Sequence, residues 1–144
     1  MVFVIALVLI AIALFPYQQT IAPDWTVTTL DASPSHRPLR DITVREVWQQ
    51  YSLDTVPHEE DRLTDAKGQV HFPRRTQRSS LIFRVIGCLW QVGTTGIHAS
   101  CGPDSYLVAF GRSIDAMDWA DMSQEIGSRS QWQRSTLVLK PSVQ

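Results

Sequence analysis

The side chains best suited to chemistry are four histidines, His36, His58, His71 and His98, and the run His98-Ala99-Ser100-Cys101-Gly102 with Asp104 just beyond it. The histidines form no i, i+4 pair and no His-x-x-x-His or Cys-x-x-Cys motif, so a metal site would need assembly entirely by tertiary contacts. His71 alternates with Val70 and Phe72 and is read as an outward or edge histidine. Asp115, Asp118 and Asp121 recur every three residues but lack the Asp-Gly turn of a calcium loop, and a solvated helix face explains them. Ser100 is not in a Gly-x-Ser-x-Gly elbow, and nearness of His98 and Asp104 in sequence does not make a triad. Arg74, Arg75 and Arg78 place three guanidinium groups within five positions. They are able to hold a phosphate or an anionic lipid headgroup, although a solvated loop is the plainer reading. Of five tryptophans, Trp25, Trp48 and Trp90 sit in strand-like patterns and are assigned to the core. Trp119 and Trp132 remain as candidates for an exposed stacking surface. No catalytic residue, metal or cofactor is assigned.

A chain of 144 residues with 13 basic and 14 acidic side chains suits one domain with a short appendage. Its net charge of -1 gives no general attraction to nucleic acid. Val2 to Phe15 has no polar side chain, and the first charged side chain is Asp24. The run is shorter than the ~20 residues needed to cross a bilayer and resembles a secretory hydrophobic region. It has no basic residue before it and no good cleavage site: Thr20-Ile21-Ala22 is followed by Pro23. A cleaved signal and a retained anchor through residues 2–17 both stay open. Either places the rest of the chain outside the cytoplasm, as a secreted, periplasmic or membrane-anchored domain. The expected division is 1–22 for this segment and 23–144 for the domain.

The elements that would position the polar residues are mostly strands. Asp24 to Leu30 is β-branched and aromatic, and the prolines at 34 and 38 then reverse the chain. Ile42 and Val44, and likewise Val70 and Phe72, alternate with polar residues at the period of half-buried strands. Gln49 to Arg62 reads as an acidic, exposed excursion. Asp65 to Gly68 reads as a tight turn, with Asp65 capping its own backbone and Gly68 at positive φ. Leu81 to Val92, apolar on both faces except Arg84 and Gln91, predicts a strand buried on both sides. Gly93 to Gly96 is a turn, Ile97 to Cys101 a returning strand, and Tyr106 to Phe110 another. Ser113 to Ile126 carries helical spacing, and Trp132 to Leu139 predicts a last strand. The expected fold is mainly β: an antiparallel β-sandwich with an N-terminal hydrophobic segment and one short helical insertion.

Asp31, Pro38-Leu39, Ile42-x-Val44 and Thr64-Asp65-x-x-Gly68-x-Val70-x-Phe72 together resemble the start of a carboxypeptidase regulatory-like domain, a small sandwich of the transthyretin (prealbumin) type. The resemblance covers about the first half of the domain and implies that Gly68 is the positive-φ residue and Val70 and Phe72 are core. It implies a structural or binding module. Two enzyme families share that sandwich. The hydroxyisourate hydrolases end in Tyr-Arg-Gly-Ser, unlike Lys140-Pro-Ser-Val-Gln144 here, and the intradiol dioxygenases need Tyr and His iron ligands that cannot be placed on Tyr51 or Tyr106.

Cys88 and Cys101 are the only cysteines, and in an oxidising compartment they are expected to form a disulfide. With a hairpin turning at Gly93 to Gly96, outward counting makes them cross-strand neighbours, worth at most ~3 kcal/mol as a bridge. Two buried free thiols are the alternative. The function expected on these grounds is a non-enzymatic exported or envelope-anchored binding or accessory module for a protein or glycan ligand. A hydrolase or metal-dependent enzyme on the sandwich loops and a carbohydrate-binding module are the alternatives.

Overall fold

The computed structural model describes residues 1–110, 118–121 and 136–139. The order is α1 (Val2–Leu14), β1 (Pro16–Ala22), β2 (Trp25–Asp31), β3 (Thr43–Gln50), β4 (His58–Leu63), β5 (Gln69–Phe72), β6 (Arg75–Ser80), α2 (Leu81–Thr95), a 3-10 turn (Gly96–His98), β7 (Pro103–Phe110), β8 (Asp118–Asp121) and β9 (Thr136–Leu139). Strands pair as a ribbon β1-β6, a three-stranded sheet β5-β2-β9 and a four-stranded sheet β4-β3-β7-β8. All these pairings are antiparallel except β2 with β9.

The fold is mainly β and sandwich-like, because the two larger sheets share one core. Trp25, Val27, Val70, Phe72, Leu137 and Leu139 come from the three-stranded sheet. Val44, Leu107 and Ala109 come from the four-stranded one. These are alternate residues on each strand, as a pleated face requires. Along β7 the buried set is Ser105, Leu107 and Ala109, and the aromatic side chains Tyr106 and Phe110 take the opposite face.

The two sheets are joined at a polar corner. Thr64 Oγ1 donates to the Leu39 carbonyl at 2.8 Å and accepts from the Ile42 amide at 3.0 Å. Thr29 Oγ1 donates to the Leu39 carbonyl at 2.7 Å. In the turn that follows, Asp65 Oδ1 accepts from the Lys67 and Gln69 amides at 2.8 and 2.9 Å. Those two bonds, first Gln69 and then Lys67, hold its carboxyl below the usual range. Gly68 has φ 70°, and a Cβ there would lie 2.8 Å from the Thr29 carbonyl oxygen, so both conformation and space call for glycine.

Residues 16–22 form strand β1, paired with β6, with Ile21 and Ala22 buried. Several expectations are corrected. The excursion shrinks to residues 51–57, because β3 runs to Gln50 and His58 to Leu63 pair with it. Alternating charge on β4 disguised it: Glu59 and Asp61 face outward onto Arg45, whose guanidinium bonds Asp61 at 2.7 and 2.9 Å. The basic loop at Arg74 to Arg78 is largely strand β6. Leu81 to Val92 is helix α2, and Ile97 to Cys101 contains the 3-10 turn in place of a returning strand. A short apolar run carries no periodicity that separates helix from strand. Within the expected helix Ser113 to Ile126, residues 118–121 are strand β8; the rest lies outside the described residues. Of the last strand, residues 136–139 are β9, running parallel to β2, and 132–135 lie outside the described residues. Trp25 is in the core, but Trp90, also assigned there, is 72% exposed.

Among the described residues no helix is long and apolar enough to cross a membrane.

Candidate functional site

The helix α2 docks on the sandwich in an unusual sense. Its inward residues are Arg84, Gly87, Cys88 and Gln91, at the i, i+3, i+4, i+7 spacing of one helical face. Arg84 is buried; its Nε donates to Ser79 Oγ at 2.7 Å and its guanidinium lies 4.2 Å from the Tyr17 ring centre. Gln91 Nε2 donates to the Tyr51 carbonyl at 3.1 Å. Cys88 is bonded to Cys101, with Cα atoms 4.9 Å apart. The disulfide thus exists, but it ties a helix to the loop before β7 and not two strands of a hairpin.

Gly87 lets the loop at residues 51–55 lie directly against the helix. A Cβ at this position would fall 1.7 Å from the Ser52 carbonyl oxygen. Gly87→Ala is therefore expected to force helix and loop apart and cost about 1–3 kcal/mol in denaturant unfolding. Gly93→Ala, with nothing within 4 Å of its Cβ, should instead stabilise α2 by about 0.5–1 kcal/mol. Equal effects at the two positions would contradict this packing.

The same loop is held from its other side. Ser52 Oγ donates to the Cys101 carbonyl at 2.5 Å, the Tyr51 amide to the Gly102 carbonyl at 3.2 Å, and Tyr51 Oη to Asp104 Oδ2 at 3.1 Å. Burial, then the adjacent Asp104 charge, push the Tyr51 phenol up. Asp54 Oδ2 accepts from the Gln50 amide at 2.8 Å, and its Oδ1 accepts from Gln77 Nε2 at 2.9 Å. Asp54 is thereby committed to shaping the loop.

Between this loop, the β1-β6 ribbon and α2 lies an open cleft of about 780 Å³. Phe83, Ile86 and Trp90 make an apolar wall, with Leu14 at the end of α1, while Asp54, Gln77 and Arg78 are polar members of the lining. Arg78 makes no ion pair with any described residue. It is the member of the arginine group that the structure brings to the cleft.

Arg75 has a different fate. Glu46 on β3 stands directly opposite Glu60 on β4, a cross-strand pairing of like charges that opposes folding. The Arg75 guanidinium lies between them, donating from Nε to Glu46 Oε2 at 2.9 Å and from Nη2 to Glu60 Oε2. It stacks 4.4 Å from the Trp48 ring centre, and Trp48 in turn stacks on His58 at 5.6 Å. Burial raises the pKa of Glu46 against the opposing pull of Arg75. Glu60 is lowered, first by its bond to Arg62 and then by Arg75. Arg75 is thus a structural cation and not an anion receptor, and Arg74 is exposed outside the cleft lining.

The other sequence candidates do not converge. Ser100, Tyr51 and Asp104 line a separate depression of about 340 Å³ beside Cys101. His98 closes the 3-10 turn and forms no hydrogen bond with Ser100 or Asp104, so no triad is assembled. His71 on edge strand β5 faces Thr26 Oγ1 at 3.2 Å and Asp24 Oδ1 at 3.5 Å. His36 is in a turn with φ 43°. Among the described residues no group of three or more His, Cys, Asp or Glu side chains is placed to hold a metal. Trp119 lies on β8 opposite Val108, and Asp118 and Asp121 end that strand; Trp132 and Asp115 lie outside the described residues. The cleft itself was not anticipated, and the helical spacing of Arg84, Gly87, Cys88 and Gln91 was the signal available for finding it.

Comparison with family models, with curated proteins and with solved structures finds no match.

Proposed function

We propose that this chain is a non-enzymatic binding or accessory module acting outside the cytoplasm, with the cleft beside α2 as its ligand site. The observation that carries the proposal is the pairing of an apolar wall, Phe83, Ile86 and Trp90, with Arg78, a cation without an ionic partner among the described residues. A pocket with one charged group at the edge of apolar surface orients an amphiphile. Anionic amphiphiles match it best. The polar groups nearby are engaged in structure: Asp54 holds backbone and Gln77, and Tyr51 holds Asp104. The Cys88–Cys101 disulfide supports an oxidising compartment, as does the apolar segment at residues 2–15. The transthyretin-like turn pattern supports a module whose sandwich serves as scaffold.

Hexyl phosphate, a single-chain anionic amphiphile, is a direct probe by titration calorimetry. Saturable binding at one site per chain is expected, weakened roughly 10- to 150-fold in Arg78→Gln, since one charge-assisted hydrogen bond contributes about 1.5–3 kcal/mol. Binding that never saturates, or that ignores Arg78→Gln, removes the cleft from consideration. Ester or phosphate turnover by the purified protein would instead favour a hydrolase.

A further inference from the structure

We infer that α2 is a membrane-docking helix, seated by its outer face on the surface of an anionic bilayer. A water-exposed helix normally turns its apolar stripe inward, and α2 does the reverse. The charged, small and amide residues Arg84, Gly87, Cys88 and Gln91 face the protein, while Leu81, Ile82, Phe83, Val85, Ile86, Leu89, Trp90 and Val92 are exposed. Phe83 is 64%, Leu89 65% and Trp90 72% exposed. Contiguous apolar surface of this kind marks an interaction site.

Three observations name the bilayer as the occupant. First, α1 is apolar around its whole circumference, with large side chains exposed from Val2 to Leu14. A helix apolar on every side belongs in a protein interior or in lipid, and no residue of α1 is buried by the described protein. Second, both helices leave the same end of one ribbon. Pro16, two residues after the end of α1, pairs with Ser80, the residue that opens into α2. A surface that meets one helix therefore meets the other. Third, the helix end of the ribbon carries Arg78, which makes no ion pair with any described residue, and residues 76–103 contain no Asp or Glu, in a chain whose net charge is -1; the carboxylate of the cleft, Asp54, is held by the Gln50 amide and Gln77. Arg78 lies two strand positions from the helix end of the ribbon, the depth of a headgroup phosphate when the helix rests at the acyl boundary. Tyr17, held by Arg84 at 4.2 Å, and Trp90 are the amphipathic rings that favour that boundary.

The test uses the full chain in phosphatidylcholine/phosphatidylglycerol vesicles whose acyl chains are brominated, with quenching of tryptophan fluorescence as the readout. A quenched component is expected that disappears in Trp90→Phe. Val85→Glu combined with Leu89→Glu, outside the cleft lining, should also abolish it, while α1 keeps the protein in the vesicle fraction. Both charged variants sit on the outer face, and retention of the Cys88–Cys101 peptide pair by non-reducing mapping checks the fold. An unquenched Trp90 in the parent protein overturns the proposal. So does a lipid-independent dimer with a blue-shifted Trp90, which would assign the face to a second copy. Hexyl phosphate binding in the cleft is indifferent to Val85→Glu and Leu89→Glu, so the two readings fail separately.

Discussion

Arg75→Met is expected to lower the unfolding free energy by about 3–5 kcal/mol at neutral pH, because it strands a fully buried carboxylate on Glu46. In the parent protein Arg75 sits between Glu46 and Glu60, which face each other across β3 and β4. Glu60 keeps Arg62 at 2.7 Å and partial access to water, so it tolerates the loss. Among the described residues Glu46 forms no second ion pair, Arg62 acting on it only at a distance, and its Oε1 is buried without a hydrogen-bond partner. The pH dependence identifies the cause. The Glu46 pKa is already above its ordinary 4.5, chiefly through burial, and removing Arg75 drives it further up. A carboxyl raised in the folded state binds protons that unfolding releases, so its destabilising effect is absent below about pH 4.5 and grows as pH rises through the folded value. Glu60, Asp61 and Asp65, lowered in the folded protein, act in the opposite sense and lose their stabilising effect as pH falls below their ordinary values. The contributions of Asp61 and Asp65 are common to both proteins, whereas Glu60 loses Arg75 as Glu46 does and shifts in the same direction. Comparing parent and variant at each pH therefore isolates the two carboxylates that Arg75 serves, the buried Glu46 above all: the deficit should shrink steadily as pH falls toward 4.5. Glu46→Gln in the Arg75→Met background should recover much of it at neutral pH. A deficit independent of pH would mean that the cost comes from lost packing on Trp48.

Cys88→Ser with Cys101→Ser, or reduction of the parent, should cost about 3 kcal/mol, the scale for closing a loop of this size, with a sequence separation of 13. The loss is expected to be local. The disulfide closes a ring in which Gln91 holds Tyr51, Ser52 holds the Cys101 carbonyl, and Tyr51 holds Gly102. Opening it frees the inward face of α2, so hydrogen exchange should accelerate across residues 88–102 and 51–55 while the core strands β2 and β5 keep their protection. The cleft depends on α2 staying against that loop, so hexyl phosphate binding should weaken in parallel. A stability change below about 0.5 kcal/mol would show that the hydrogen bonds alone hold the helix, a value typical of uncritical surface changes.

The residues that the chain alone made legible are those whose structure closes within a few positions. The Asp65 to Gly68 turn needs only its own amides and one glycine, and Val70 and Phe72 alternate toward the core as their period of two requires. The presence of two cysteines pointed to a disulfide, although the hairpin drawn for it was wrong. What only the tertiary structure decided is which neighbour covers each face. Leu81 to Val92 has enough apolar residues to satisfy a doubly buried strand, and nothing local says that Arg84 and Gln91 are the residues turned inward. That choice depends on Ser79, Tyr17 and Tyr51, which bind them from distant segments. Arg75 looked equivalent to Arg74 and Arg78 in sequence. It became a buried cation because strand pairing set Glu46 opposite Glu60, a juxtaposition across 14 residues of chain that local spacing does not encode.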